Sequence, residues 1–94
     1  MTRTAQRKVK GGKLVRVKVD DDGSRITRVS ITGDFFVYPE EGLLSLEEGL
    51  AGTPLGEGAE RLLSRLNSLI RASGLVIVGF EPRDLAELIS EASW

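Results

Sequence analysis

Two periodicities divide this chain, and the switch between them constrains its fold more than any single residue. From Lys13 onward, Val15, Val17 and Val19 alternate with Leu14, Arg16 and Lys18, the period of two that puts successive side chains on opposite faces of a strand. Asp20-Asp21-Asp22-Gly23 follows; short Asp side chains and a glycine are turn chemistry. Arg25 to Thr32 then reads as a second strand with Val29 and Ile31 inward, so the two segments make a hairpin. Gly33-Asp34 breaks the run, and Phe35-Phe36-Val37-Tyr38 reads as a third short strand. Consecutive strands joined by short links usually pair, which predicts a three-stranded antiparallel meander with one apolar and one wet face.

After Pro39 the period becomes 3.6. Leu43, Leu46 and Leu50 line one face of a helix starting near Glu40 and stopping at Gly52-Thr53-Pro54. Leu62, Leu63, Leu66, Leu69 and Ile70 stripe a second helix over roughly residues 57–72, ending at Gly74. Residues 75–79, "LVIVG", are a fourth short strand or a buried connector; their length does not decide between the two. Pro82 opens a last helix at the position that tolerates a missing N–H, with Asp84 in its first turn and Leu85, Leu88, Ile89 and Ala92 as its stripe. Strands first and helices after define an α+β fold, a three-stranded sheet with about three helices packed on one face.

Ninety-four residues make one domain with a small core. The net charge of −1 conceals an asymmetry. Residues 1–18 carry Arg3, Arg7, Lys8, Lys10, Lys13, Arg16 and Lys18 and no acid, whereas all 14 acids lie beyond them. Residues 1–12 are polar and end in Gly11-Gly12, so they read as a basic flexible arm, with a single domain over 13–94. Such an arm on an acidic body steers toward an acidic partner or nucleic acid. No apolar run is long enough for a membrane span, and the first residues lack the apolar core of a signal peptide; the expectation is a cytoplasmic chain with no membrane partner.

Catalytic chemistry has few candidates. The chain has no His and no Cys, which removes the usual general base, the usual soft metal ligands and a thiolate nucleophile. Ser45, Ser64, Ser68 and Ser73 lie on predicted helices outside any nucleophile motif and read as surface or capping hydroxyls. The Asp20–Asp22 cluster lacks the spaced ligands of a calcium loop and is a turn. Gly11-Gly12-Lys13 precedes a strand rather than opening a helix, so it is not a phosphate loop. Five aromatics are too few for a base-stacking surface, and Phe35, Phe36 and Tyr38 read as core at the sheet edge. No metal site and no catalytic residue are expected, nor activity from the chain alone.

The string from Gly11 to Leu55, the leucine-striped helix and "VGFEPRDLAELI" resemble the C-terminal accessory domain of lipoate–protein ligases over about residues 11–91. The more specific pieces are Gly12-Lys13-Leu14 opening the first strand, Thr32-Gly33-Asp34-Phe35-Phe36 at the corner, and Val78-Gly79 before Pro82-Arg83-Asp84-Leu85. In that family a large catalytic domain binds lipoate and ATP, makes lipoyl-adenylate and passes the lipoyl group to a lysine of an acceptor domain. The resemblance starts barely a dozen residues from Met1 and includes no catalytic domain. It therefore implies the split arrangement, in which the accessory domain is a separate subunit associated with a catalytic chain. It further implies that the subunit serves adenylation more than transfer, that the complex uses ATP, Mg and lipoate while this chain alone binds no cofactor, and that lipoyl acceptor domains are indirect partners. The family fold is related to iron–sulfur scaffold and sulfur-acceptor proteins, a role the absence of Cys argues against.

On this reading Gly12, Lys13, Arg16, Gly33, Asp34, Phe35 and Phe36 are the candidates for facing the partner or the nucleotide. Gly12 would permit close backbone approach and Lys13 and Arg16 would supply positive charge near phosphates. Gly33 would allow the corner, Asp34 would bond local N–H groups, one Phe would anchor the core and the other would cap an interface. Two other readings stay open: a stand-alone binding module for an acyl or acceptor domain, and a nonspecific nucleic-acid-binding protein using residues 1–18.

Overall fold

A computed structural model describes residues 1–9, 11 and 13–93. Lys10 and Gly12, which the sequence analysis singled out, lie outside the described residues. The described residues form five strands and three helices in the order β1 (Thr2–Lys8), β2 (Leu14–Asp21), β3 (Ile26–Gly33), β4 (Phe36–Tyr38), α1 (Gly42–Leu50), α2 (Ala59–Ser73), β5 (Val76–Val78) and α3 (Pro82–Ser93). The fold is α+β. Strands β1, β2 and β3 form an antiparallel meander in that order, and β4 pairs with β5 in a separate antiparallel ribbon.

The hairpin from β2 to β3 forms where the alternation placed it. Val17 faces Ile31 and Val19 faces Val29, all buried on one face of the sheet. At the turn, Asp22 Oδ1 accepts the N–H groups of Arg25 (2.8 Å) and Ser24 (2.9 Å). Those bonds, Arg25's first, hold the Asp22 carboxyl below its ordinary pKa.

The third strand of the meander is not Phe35–Tyr38 but β1. The expected basic arm over residues 1–12 is corrected over Thr2–Lys8, which pairs residue by residue with β2 from Thr2–Asp20 to Lys8–Leu14. Its inward positions are Arg3, Ala5 and Arg7, of which only Ala5 is apolar. An ion-pair fork substitutes for part of the missing apolar face: the Arg7 guanidinium donates to Glu87 (2.7 Å) and Glu91 (3.0 Å) of α3. The Glu87 and Glu91 side chains keep 39% and 57% exposure, so solvent screens the fork and it supports the strand modestly.

The helices cover the inner face, α3 on β1 and β2, α1 on β3, with α2 against α1 and α3. Leu46, Leu50, Leu62, Leu66, Leu85, Leu88 and Ile89 join the strand valines in one core. Helix α3 starts as predicted, with Pro82 first and the Asp84 carboxylate reaching back to the N–H of Glu81 (2.9 Å). The residues after α1 also brace β3. Thr53, fully buried, donates its hydroxyl to the Leu50 carbonyl, and the backbone of Gly52 and Thr53 exchanges hydrogen bonds with Ile26. Farther along, the Glu47 carboxylate accepts the Ile31 N–H (2.7 Å), satisfying a donor on the strand's open edge. Replacing Glu47 with Ala removes that acceptor and should cost about 1–3 kcal/mol in chemical denaturation. The Asp22 carboxyl and that of Glu60, lowered by its hydrogen bond from Arg83, are both more acidic folded than unfolded. Their contribution is therefore present at neutral pH and is lost as pH falls through the carboxylate range. Acid titrations should show Asp22→Ala and wild type converging in stability at low pH and separating toward pH 7.

Candidate functional site

Residue 33 is the point at which the chain leaves the main sheet. Gly33 has φ +146°, and a Cβ there would lie inside the contact shell of the Leu14 carbonyl. One residue later the Asp34 N–H donates to that same carbonyl (2.8 Å). On the far side the backbone of Gly79 (φ +122°) lies against the corner, where an added Cβ would sit 2.9 Å from Phe35 Cβ. Two glycines thus let three backbone segments, the starts of β2 and β4 and the end of β5, approach more closely than side chains permit. Phe35 then packs edge-on against Phe80, ring centres 5.0 Å apart, and anchors the corner to the core.

From this anchor the β4–β5 ribbon projects. Phe36 faces Val78, Val37 faces Ile77 and Tyr38 faces Val76. Period two sends Val37 and Ile77 inward, where both pack on the core, and turns the other four side chains outward. Phe36 and Tyr38 are each 76% exposed, Val78 59% and Val76 56%. The core assignment of Phe36 and Tyr38 is therefore corrected: only Phe35 of the three aromatics packs inward. Four apolar side chains on one face of a two-stranded ribbon are a patch of the kind that marks an interaction site.

The other candidates divide. Lys13 is exposed, and its carbonyl accepts the Val9 N–H (2.7 Å) beside the first residue of β2. Asp34 is exposed at the corner. Lys13, Gly33, Asp34, Phe35 and Phe36 thus gather where β2 begins and β4 leaves. Arg16 stands apart, on the wet face of the main sheet, with Nε donating to the Gln6 side chain (3.0 Å). Tyr38, Val76 and Val78 were not singled out from the sequence. The signal was present as two short β-branched and aromatic runs, but their pairing, and with it their shared outward face, needs the fold.

The arrangement can bind and position; among the described residues no group of three or more acidic side chains is placed to hold a metal ion. The fold is that of a small α+β domain with an uncovered apolar patch on its two-stranded ribbon. No protein-family model matches the chain. A curated relative is 35% identical over 79 residues, spanning 81% of this chain and 76% of its own: lipoate-protein ligase A subunit 2 of Thermoplasma acidophilum. A solved structure from the same organism, of a bi-partite lipoate protein ligase and its E2 lipoyl domain, matches with a TM-score of 0.73 at 33% identity, covering 90% of each chain. The chain belongs to the lipoate–protein ligase A subunit 2 family.

The exposure of the ribbon separates two substitutions. Phe36→Ser should change stability by no more than about 0.5 kcal/mol. Phe35→Ala, which removes the ring against Phe80, should cost about 3 kcal/mol. Urea denaturation of the two variants beside wild type checks both values.

Proposed function

We propose that this chain is the noncatalytic accessory subunit of a two-chain lipoate–protein ligase, that it docks on the catalytic chain through the β4–β5 ribbon, and that it is required for ATP-dependent lipoate adenylation. The carrying observation is the uncovered apolar face of Phe36, Tyr38, Val76 and Val78 in a chain related to one subunit of a bi-partite ligase. Fully burying an apolar side chain of this size releases about 1.5–3 kcal/mol. Because the four are already partly buried, covering them is worth on the order of 4–8 kcal/mol, within the range of the roughly 4–15 kcal/mol of translational and rotational freedom lost on association. The patch therefore suits the apolar centre of an interface, with Lys13 and Asp34 at its polar rim.

A subunit without reacting groups raises a rate by ordering loops on its partner and closing water out of the partner's site. ATP, Mg and lipoate would be held by the catalytic chain. Lys13 is an exposed cation beside the corner, which suits a contribution to the field around phosphates from outside rather than a nucleotide pocket of this chain's own; Arg16, on the wet sheet face, stands away from it.

The test is lipoyl-adenylate formation by the catalytic chain from the same organism, with and without this protein. Activity should rise by at least about tenfold, or about 1.4 kcal/mol of barrier, on mixing. Phe36→Asp should abolish the rise by preventing association, although it leaves the fold intact. Equal activity of the catalytic chain alone would contradict the adenylation role and leave a docking module.

A further inference from the structure

The three helices occupy one face of the β1–β2–β3 sheet, and the opposite face carries a second feature that the apolar ribbon does not explain. Its outward side chains stand in register across the strands: Gln6, Arg16 and Thr32 in one row, Thr4, Lys18 and Ser30 in the next, and Thr2, Asp20 and Arg28 in the third. Lys8 lies beside Leu14 at one end. Lys8, Arg16, Lys18 and Arg28 are all exposed, and Asp20 is the one carboxylate among these residues. A chain of net charge −1 thus concentrates positive charge on a single flat face.

These cations also differ from most other arginines of the molecule. Arg7, Arg65 and Arg83 each donate to a glutamate, and Arg25 donates to the Gly52 carbonyl. On the wet face, the partner of Arg16 among the described residues is the neutral Gln6 side chain. Lys8, Lys18 and Arg28 form no ion pair with a described residue. Asp20 accepts the Thr2 hydroxyl instead of neutralising its cross-strand neighbour Arg28. The guanidinium and ammonium groups are left to complement negative charge from outside, surrounded by short hydroxyl side chains that a partner can approach closely.

We propose that this face is a second docking surface, taking an acidic patch on the protein domain that receives the lipoyl group. The identification of that domain rests on the ligase reading above. The chemistry of the face favours a passing protein over a permanent one. Its three rows hold only charged and short polar side chains, without the apolar centre on which lasting interfaces are built. A substrate domain that must leave after every turnover is served by charge, which speeds encounter without slowing release. Nucleic acid is the less suitable occupant, because among the described residues no aromatic side chain stands on this face for bases to stack on.

The experiment titrates this chain with the lipoyl acceptor domain from the same organism, at roughly 50 and 200 mM NaCl, a range over which exposed charges become progressively screened. Wild type should bind at low salt and weaken about tenfold at high salt. Arg16→Glu with Lys18→Glu should lose at least about tenfold at low salt, and Arg16→Gln with Lys18→Gln should fall between. Both pairs lie on the solvent face, and circular dichroism checks that they fold. Phe36→Asp should bind the acceptor as wild type does. Absent binding by wild type, equal binding by the reversed variant, or tighter binding of a DNA duplex than of the acceptor would each overturn the proposal. Association with the catalytic chain is measured separately. Its failure with acceptor binding intact would sink the two-chain reading alone, and the reverse would sink this surface alone.

Discussion

The close approach of three backbone segments at Gly33 and Gly79 is the constraint on which the rest of the molecule depends. The Leu14 carbonyl occupies the space a side chain at position 33 would need, and accepts the Asp34 N–H there. Because the chain can turn out of the main sheet at this point, Phe36–Tyr38 leaves the meander and finds β5 instead. Because Gly79 lies against the outer side of the same corner, that second strand returns directly into Phe80 and the start of α3. A sheet that simply continued would have placed Phe36 or its neighbours in the core. The corner converts them into a surface.

Much of this was legible from periodicity. The valines of β2, the Asp-Gly turn, the leucine stripes of α1 and α2 and the proline-led start of α3 are local signals, and each element formed where its pattern lay. The failures share a physical cause. β1 has no apolar alternation: its inward side chains are Arg3, Ala5 and Arg7, and it is held by its ladder with β2 and by glutamates some 80 residues away on α3. A contact at that separation leaves no trace in a window of sequence. β4 was assigned to the meander because neighbouring strands usually pair, a tendency that the Gly33 corner overrides. The ribbon's outward face was hidden for a related reason, since exposed Phe, Tyr and Val read as core until their partners are known.

The site candidates show the same division. The run Gly33-Asp34-Phe35-Phe36 is legible in the sequence as a corner that needs special backbone and splits its two rings. The structure puts Phe35 on Phe80 and leaves Phe36 outside. Charge alone places Arg16 with Lys13, yet two-residue alternation along β2 turns it onto the wet sheet face. The molecule thereby separates two kinds of surface. One is small and apolar, suited to lasting contact with another subunit; the other is broad, polar and basic, suited to brief contact with a negatively charged domain.

The place where a catalytic chain touches this protein is the most direct test of the ribbon's role. Amide hydrogen exchange of this protein, alone and saturated with the catalytic chain, reads that position strand by strand. The ribbon amides from Phe36 to Tyr38 and from Val76 to Val78 should slow markedly in the complex, while those of β2, already protected in the centre of the main sheet, should hardly change. A complex that forms with ribbon exchange unaltered, and with new protection elsewhere, would contradict the claim that this exposed apolar face joins the two chains.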